Sequence, residues 1–304
     1  RRGGGSDLGS GAAMHMTRAA AAAAMATPPL ARAHGAGVEW HAAPSDALAV
    51  LLPLVLAGVL YAVGLLRVAS RAGLQPRDAA RSTAFGAALL LLALALVWPL
   101  DAWSGVSFAA HMSQHMVLLA LAPPLLLAGR PGATTLRALP ASWRRTAVVP
   151  LRWAIVRALD GAAHSLPAMA LLHGALIWIW HAPRVFEAAL HSEALHALEH
   201  ATLLAAGFLF WRALVGARRD AAGLAIVWML VTLIHTGLLA ALLTLAPQPL
   251  YASYVERLGV ASALADQQLA GLIMWVPMGT VYILSALRIA HQWMAHQPRG
   301  PAAS

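Results

Sequence analysis

The fold predicted for this chain is all-α: a polytopic membrane bundle of seven transmembrane helices, N-terminus outside and C-terminus inside. Three observations predict it. Of 304 residues, 60% are apolar and only 11% charged, with a mean hydropathy of +0.67, where a soluble domain carries about a quarter charged residues. Several apolar runs approach the ~20 residues that a helix needs to cross a bilayer. Arginine crowds into alternate loops, the pattern that marks the cytoplasmic side.

In chain order, residues 1–44 form a leader. From Met16 they read as a basic end, an alanine run to Met25, Pro28-Pro29 and then Ala31-Arg32-Ala33. That is the layout of a secretory signal peptide, with a disordered alanine-rich arm as the alternative. Residues 45–293 form the membrane domain. Its helices are expected at about 47–66, 83–100, 109–129, 167–182, 196–215, 222–246 and 268–290. The first tolerates Pro53, because neighbouring groups satisfy a freed carbonyl inside a membrane bundle. Pro123-Pro124 should kink the third. Residues 294–304 form a cytoplasmic tail. The Arg-rich loops follow helices one, three, five and seven, whereas 101–110 has no arginine, 183–195 has Arg184 alone and 247–267 has Arg257 alone. The longest inside loop, 131–166, is basic and carries Trp143 and Trp153, as an amphipathic segment lying on the inner leaflet does.

The net charge of +9 does not point to nucleic acid, because the arginines are confined to those loops. Cysteine is absent, which excludes disulfides, thiolate metal sites and covalently attached haem. Any metal must be held by His, Met or carboxylate.

With orientation set, the histidines sort by depth. His111 and His115 lie at i and i+4 near the outer end of helix three, on one face, and Met112 and Met116 repeat the spacing. His181 ends helix four on the outer side, and His196 and His200, again i and i+4, open helix five with Glu199 between them. Imidazole suits copper, zinc and iron, and thioether favours Cu(I), so this outer cluster of His111, His115, His181, His196, His200, Met112 and Met116 suits copper. Glu199 and Asp266 are placed to orient ring nitrogens from behind the ligands. His173 and His235 lie deeper and are further candidates. Ionisable groups at membrane depth are expensive and are functional candidates for that reason. No nucleotide-binding loop, nucleophile–base pair or H-E-x-x-H motif is present, so the chain is not read as an enzyme.

Three blocks carry a family resemblance. His111-Met112-Ser113-Gln114-His115-Met116 leading to Ala122-Pro123-Pro124-Leu125 and Gly129-Arg130-Pro131 is similar to the third-helix signature of the CtaG family, assembly factors of caa3-type cytochrome c oxidase. Trp180-His181-Ala182-Pro183, Leu195-His196-Ala197-Leu198-Glu199-His200 and Phe210-Trp211 resemble its central block. The run Asp266-Gln267-Gln268 to Trp275-Val276-Pro277, preceded by Pro249-Leu250-Tyr251 and Tyr254, resembles its C-terminal block. The resemblance covers about 45–293. It implies a seven-helix protein of the bacterial plasma (inner) membrane that works with haem-copper oxidase subunits and assists maturation of the oxidase copper centre, without turnover of its own. The lack of cysteine separates it from the unrelated single-span, cysteine-dependent copper chaperone of the same name. Two alternatives stand beside this reading: a b-type haem electron carrier, with His173, His181 or His235 as axial ligands, and a copper transporter.

Overall fold

The computed structural model describes residues 44–147, 160–161 and 163–295. The leader (apart from Pro44), the tail from 296 onward, and residues 148–159 and 162 of the basic 131–166 segment lie outside the described residues.

Among the described residues the fold is all-helical. Its helices are α1 (Pro44–Ala72), α2 (Pro76–Leu96), α3 (Leu100–Ser104), α4 (Phe108–Met116), α5 (Ala122–Gly129), α6 (Pro131–Ala138), α7 (Ala141–Ala147), α8 (Leu166–His181), α9 (Pro183–Leu190), α10 (Glu193–Val215), α11 (Ala222–Leu245), α12 (Ala252–Leu258) and α13 (Val260–Ala295). Among the described residues, six segments are long and apolar enough to cross a membrane: Ala47–Ser70, Pro76–Ser104, Phe108–Gly129, Glu193–Val215, Ala222–Leu245 and Val260–Ala295. The expected fourth span, α8, is apolar but has only 16 residues, about 24 Å at 1.5 Å per residue.

Two helix starts differ most from expectation. The second span starts at Pro76 because proline suits the first helical turn and Gln75 and Asp78 form a capping box there. The last span starts at Val260, directly after Gly259, whose φ of 76° halts the preceding α12. The loops expected at one end of the bundle contain the short helices α3, α9 and α12, each too short to show a hydrophobic period in sequence.

The outward faces are apolar. On α1, Leu52 is 64% exposed, and Val55, Leu56 and Val59 are exposed with it. The inward faces meet in one large cluster that runs from Phe108 and Met112 through Ile177, Phe210 and Trp211 to Met278 and Tyr282. α11 packs along α13, α4 on α13, α8 on both α10 and α11, and α10 on the segment that follows α4.

Prolines organise this packing through the carbonyls they orphan. A proline has no N–H for the carbonyl four residues earlier, and inside a membrane bundle that oxygen must find another donor. Pro123 deprives Leu119 O, and the Trp211 indole N–H donates to it at 2.9 Å. Pro99 deprives Ala95 O, and the Gln114 amide donates to it at 2.8 Å. Pro247 deprives Leu243 O, and the Gln267 amide donates to it at 3.2 Å. The kink expected at Pro123-Pro124 takes the form of a π-helical turn over Val117–Leu121, in which the Ala122 N–H reaches back to Val117 O. Gly207 of α10 lies against this turn, where a Cβ would come within 2.9 Å of Leu118 O and 3.0 Å of the Leu119 Cα. α10, which carries Glu199 and His200, is thereby set against the segment that carries His111 and His115.

Candidate metal centre

The site begins at the N-terminus of α4. Ser107 caps the helix by accepting from the Ala110 N–H at 3.2 Å. The Asp266 carboxylate, from α13, accepts from the Ser107 hydroxyl at 2.8 Å, the Phe108 N–H at 2.5 Å and the Ala109 N–H at 3.4 Å. A carboxylate at this terminus satisfies orphan donors and complements the helix dipole. In the structure Asp266 binds the capping residue and the first turn of α4.

One turn further in, His111 and His115 point into the bundle, fully buried, as the i, i+4 spacing predicts. Their Nε2 atoms are 3.0 Å apart. Across from them α10 brings Glu199, also fully buried. Its Oε2 is 3.6 Å from His111 Nε2 and its Oε1 is 3.4 Å from His115 Nε2. His200 completes a group of four, and one ligand atom from each of His111, His115, Glu199 and His200 falls within 4.8 Å of the others. Glu199 therefore stands among the histidines, not behind them.

The remaining candidates divide. The His196 ring is 4.2 Å from that of His200 and 5.2 Å from that of His111, centroid to centroid, at the half-buried edge of the group. The His181 ring is 5.5 Å from that of His115. His181 Nδ1–H donates to Ile177 O at 2.7 Å, so in the neutral ring Nε2 holds a lone pair, and it faces the Met112 sulfur at 3.1 Å. Met116 is packed into the apolar core. His173 and His235 form a separate pair deeper in the bundle, with ring centroids 6.5 Å apart.

Several residues that support the site were not read as such from sequence. Phe186 of α9 tilts over the His111 ring at 4.9 Å and packs with Phe108 and Tyr251. The Tyr251 hydroxyl donates to His181 O at 3.0 Å, and burial pushes its pKa up, so it stays a donor. Glu187 accepts from the Ser253 N–H at 3.1 Å and from the Ser253 hydroxyl, tying α9 to α12. Gln114 also donates to Asp101 at 3.1 Å. The sequence signals among these were Gln114, inside the third-helix block, and Tyr251, ahead of the C-terminal block. Phe186 lies in a segment read as loop, and apolar residues there carry no signature.

The donor set fits a metal ion. The His111 Nδ1, His115 Nδ1, His196 Nε2 and His200 Nε2 atoms are buried without a hydrogen-bond partner, as are both Glu199 oxygens. A carboxylate buried among imidazoles in a low-dielectric interior is costly unless a cation joins it. Three imidazoles and one carboxylate within mutual reach are what a transition metal requires.

The fold and the site together define a polytopic helical membrane protein with a buried imidazole–carboxylate cluster at one end of its bundle. The chain belongs to the cytochrome c oxidase caa3 assembly factor family, whose model matches residues 59–296. No curated protein and no solved structure matches it. The match spans all of α2 to α13 and confirms the resemblance drawn from the His111, His196 and Asp266 blocks.

Proposed function

We propose that this assembly factor carries copper as its cargo at the His111–His115–Glu199–His200 cluster and delivers it to the copper centre of a haem-copper oxidase. The observation that carries the proposal is the fully buried Glu199 carboxylate, flanked by His111 and His115 and left without a hydrogen bond. The adjacent lone pairs of His181 and Met112 supply a soft edge to the cluster, which favours Cu(I) over zinc. Imidazole and thioether bind without losing a proton, so capture and release need no thiol chemistry.

In this reading α8 is a seventh span, shortened because α9 continues it at an angle after Pro183. The arginine-rich loops face the cytoplasm, which sets the N-terminus and the metal cluster on the outer side of the bacterial plasma membrane. There the cluster faces the oxidase subunits under assembly. The protein is a carrier with no turnover of its own.

The direct test is the copper-to-haem ratio of the client oxidase purified from membranes of a host with and without this chain. The expected result is an oxidase that retains haem but loses copper when the chain is missing, with copper restored by the wild-type chain and not by His111→Ala. An unchanged ratio contradicts the proposal.

A further inference from the structure

We infer that the bundle holds a second, deeper metal site, in which His173 of α8 and His235 of α11 bind one soft monovalent ion, Cu(I), in a two-coordinate bridge. It is independent of the outer cluster in residues and in position, and its failure would leave the proposal for that cluster intact.

The geometry is that of a bridged pair. The two rings stand 6.5 Å apart, centroid to centroid, at an interplanar angle of 67°. A metal–nitrogen bond of about 2.0 Å plus roughly 1.1 Å from nitrogen to ring centre, counted on both sides, gives about 6.2 Å. Little movement separates the observed rings from that spacing. His173 is fully buried, and its Nδ1 and both His235 nitrogens lack a hydrogen-bond partner. Unpaired polar atoms at mid-helix in a membrane bundle are costly, and a metal ion would satisfy one on each ring.

The surroundings fit the same chemistry. Gly174 makes room for His235: a Cβ there would stand 3.1 Å from His235 Nε2. Tyr282 lies at hydrogen-bond distance from His173 Nε2, 3.2 Å. With Nε2–H donating to the phenol oxygen, the lone pair is left on Nδ1, the way a partner behind a metal-bound imidazole fixes its tautomer. Tyr282 is thus a positioning residue. Among the described residues no carboxylate pairs with either ring, so a divalent ion would leave two charges uncompensated and Cu(I) only one. Met274 and Met278, each 1% exposed, lie at i and i+4 on α13 in the turns leading to Tyr282, and give the same face a thioether lining. The pair therefore serves as a resting place for the ion below the outer cluster.

The test is a Cu(I) titration of the full-length chain in detergent against a chromophoric Cu(I) chelator. Variants are His173→Gln, His235→Gln, Tyr282→Phe and, for the outer cluster, His111→Gln, each checked for wild-type thermal unfolding. The expected result is about two ions per wild-type chain and about one for His173→Gln, His235→Gln or His111→Gln, with X-ray absorption of the His111→Gln sample showing two imidazole nitrogens on the remaining ion. Tyr282→Phe keeps the count and weakens the deeper site about tenfold. A single ion lost in His111→Gln but kept in both deep variants overturns this inference and leaves the outer cluster standing. A single ion lost only in the deep variants does the reverse. No bound ion overturns both.

Discussion

Glu199→Gln is expected to abolish copper retention at the outer cluster and to lower oxidase activity in the host membranes at least about tenfold, while raising the thermal stability of the metal-free protein. Both effects follow from one cause. The Glu199 carboxylate is fully buried beside His111 and His115 without a hydrogen bond. A buried carboxylate carries a desolvation penalty of several kcal/mol, which an amide of the same shape does not. The same change removes the one negative charge that a bound cation finds among the imidazoles. Loss of even a group that only supports metal ligands costs about 10–100-fold in affinity or activity, and a direct ligand costs no less. Thermal unfolding, copper content and oxidase turnover measured on the same variant check this. A stability gain with full copper retention would mean that Glu199 is a structural charge.

Asp266→Ala is expected to act in the opposite sense: a large loss of stability with the metal stoichiometry of the folded protein unchanged. The carboxylate holds the Ser107 hydroxyl and the Phe108 and Ala109 N–H groups. Hydrogen bonds to a charged acceptor are worth about 1.5–3 kcal/mol each, and a lost cap about 1 kcal/mol. With the Ala109 bond weak at 3.4 Å, losing the set at this helix start is expected to cost about 3–5 kcal/mol. Asp266→Asn retains an acceptor oxygen and should recover part of it. Denaturation midpoints alongside Cu(I) counts make the check. An unchanged midpoint with lost copper would restore Asp266 to a place behind the ligands.

The contrast between these two carboxylates shows where sequence reading stops. The face shared by His111 and His115, and by His196 and His200, was legible because a helix repeats every 3.6 residues and the apolar runs fix the helices. The convergence of α4 and α10 on one end followed from the alternation of the arginine loops. What Glu199 and Asp266 do was not legible. Each is an acidic residue near a helix start, and only the packing partner separates them: His111 and His115 for one, the first turn of α4 for the other. Asp266 and Ser107 are 159 residues apart in the chain, and no local pattern joins them.

The same holds for the donors that repair the proline breaks. Pro123-Pro124 announced an interrupted helix, but Gln114, Trp211 and Gln267 as the groups that fill the carbonyls freed by Pro99, Pro123 and Pro247 came only from the fold. Trp211 sits near the C-terminal end of α10, yet it is 3% exposed and bonded to Leu119 O. Helices of five to eight residues such as α3, α9 and α12 lack the length for a period to show, so Phe186, which packs over the site, stayed hidden in an apparent loop.

The most direct measurement is the copper content and absorption spectrum of the detergent-purified wild-type chain after loading with Cu(I). The account predicts stoichiometric copper, lost at the outer cluster in Glu199→Gln, and no Soret band. A chain that takes up no copper, or one that is isolated with haem absorbance, would contradict it.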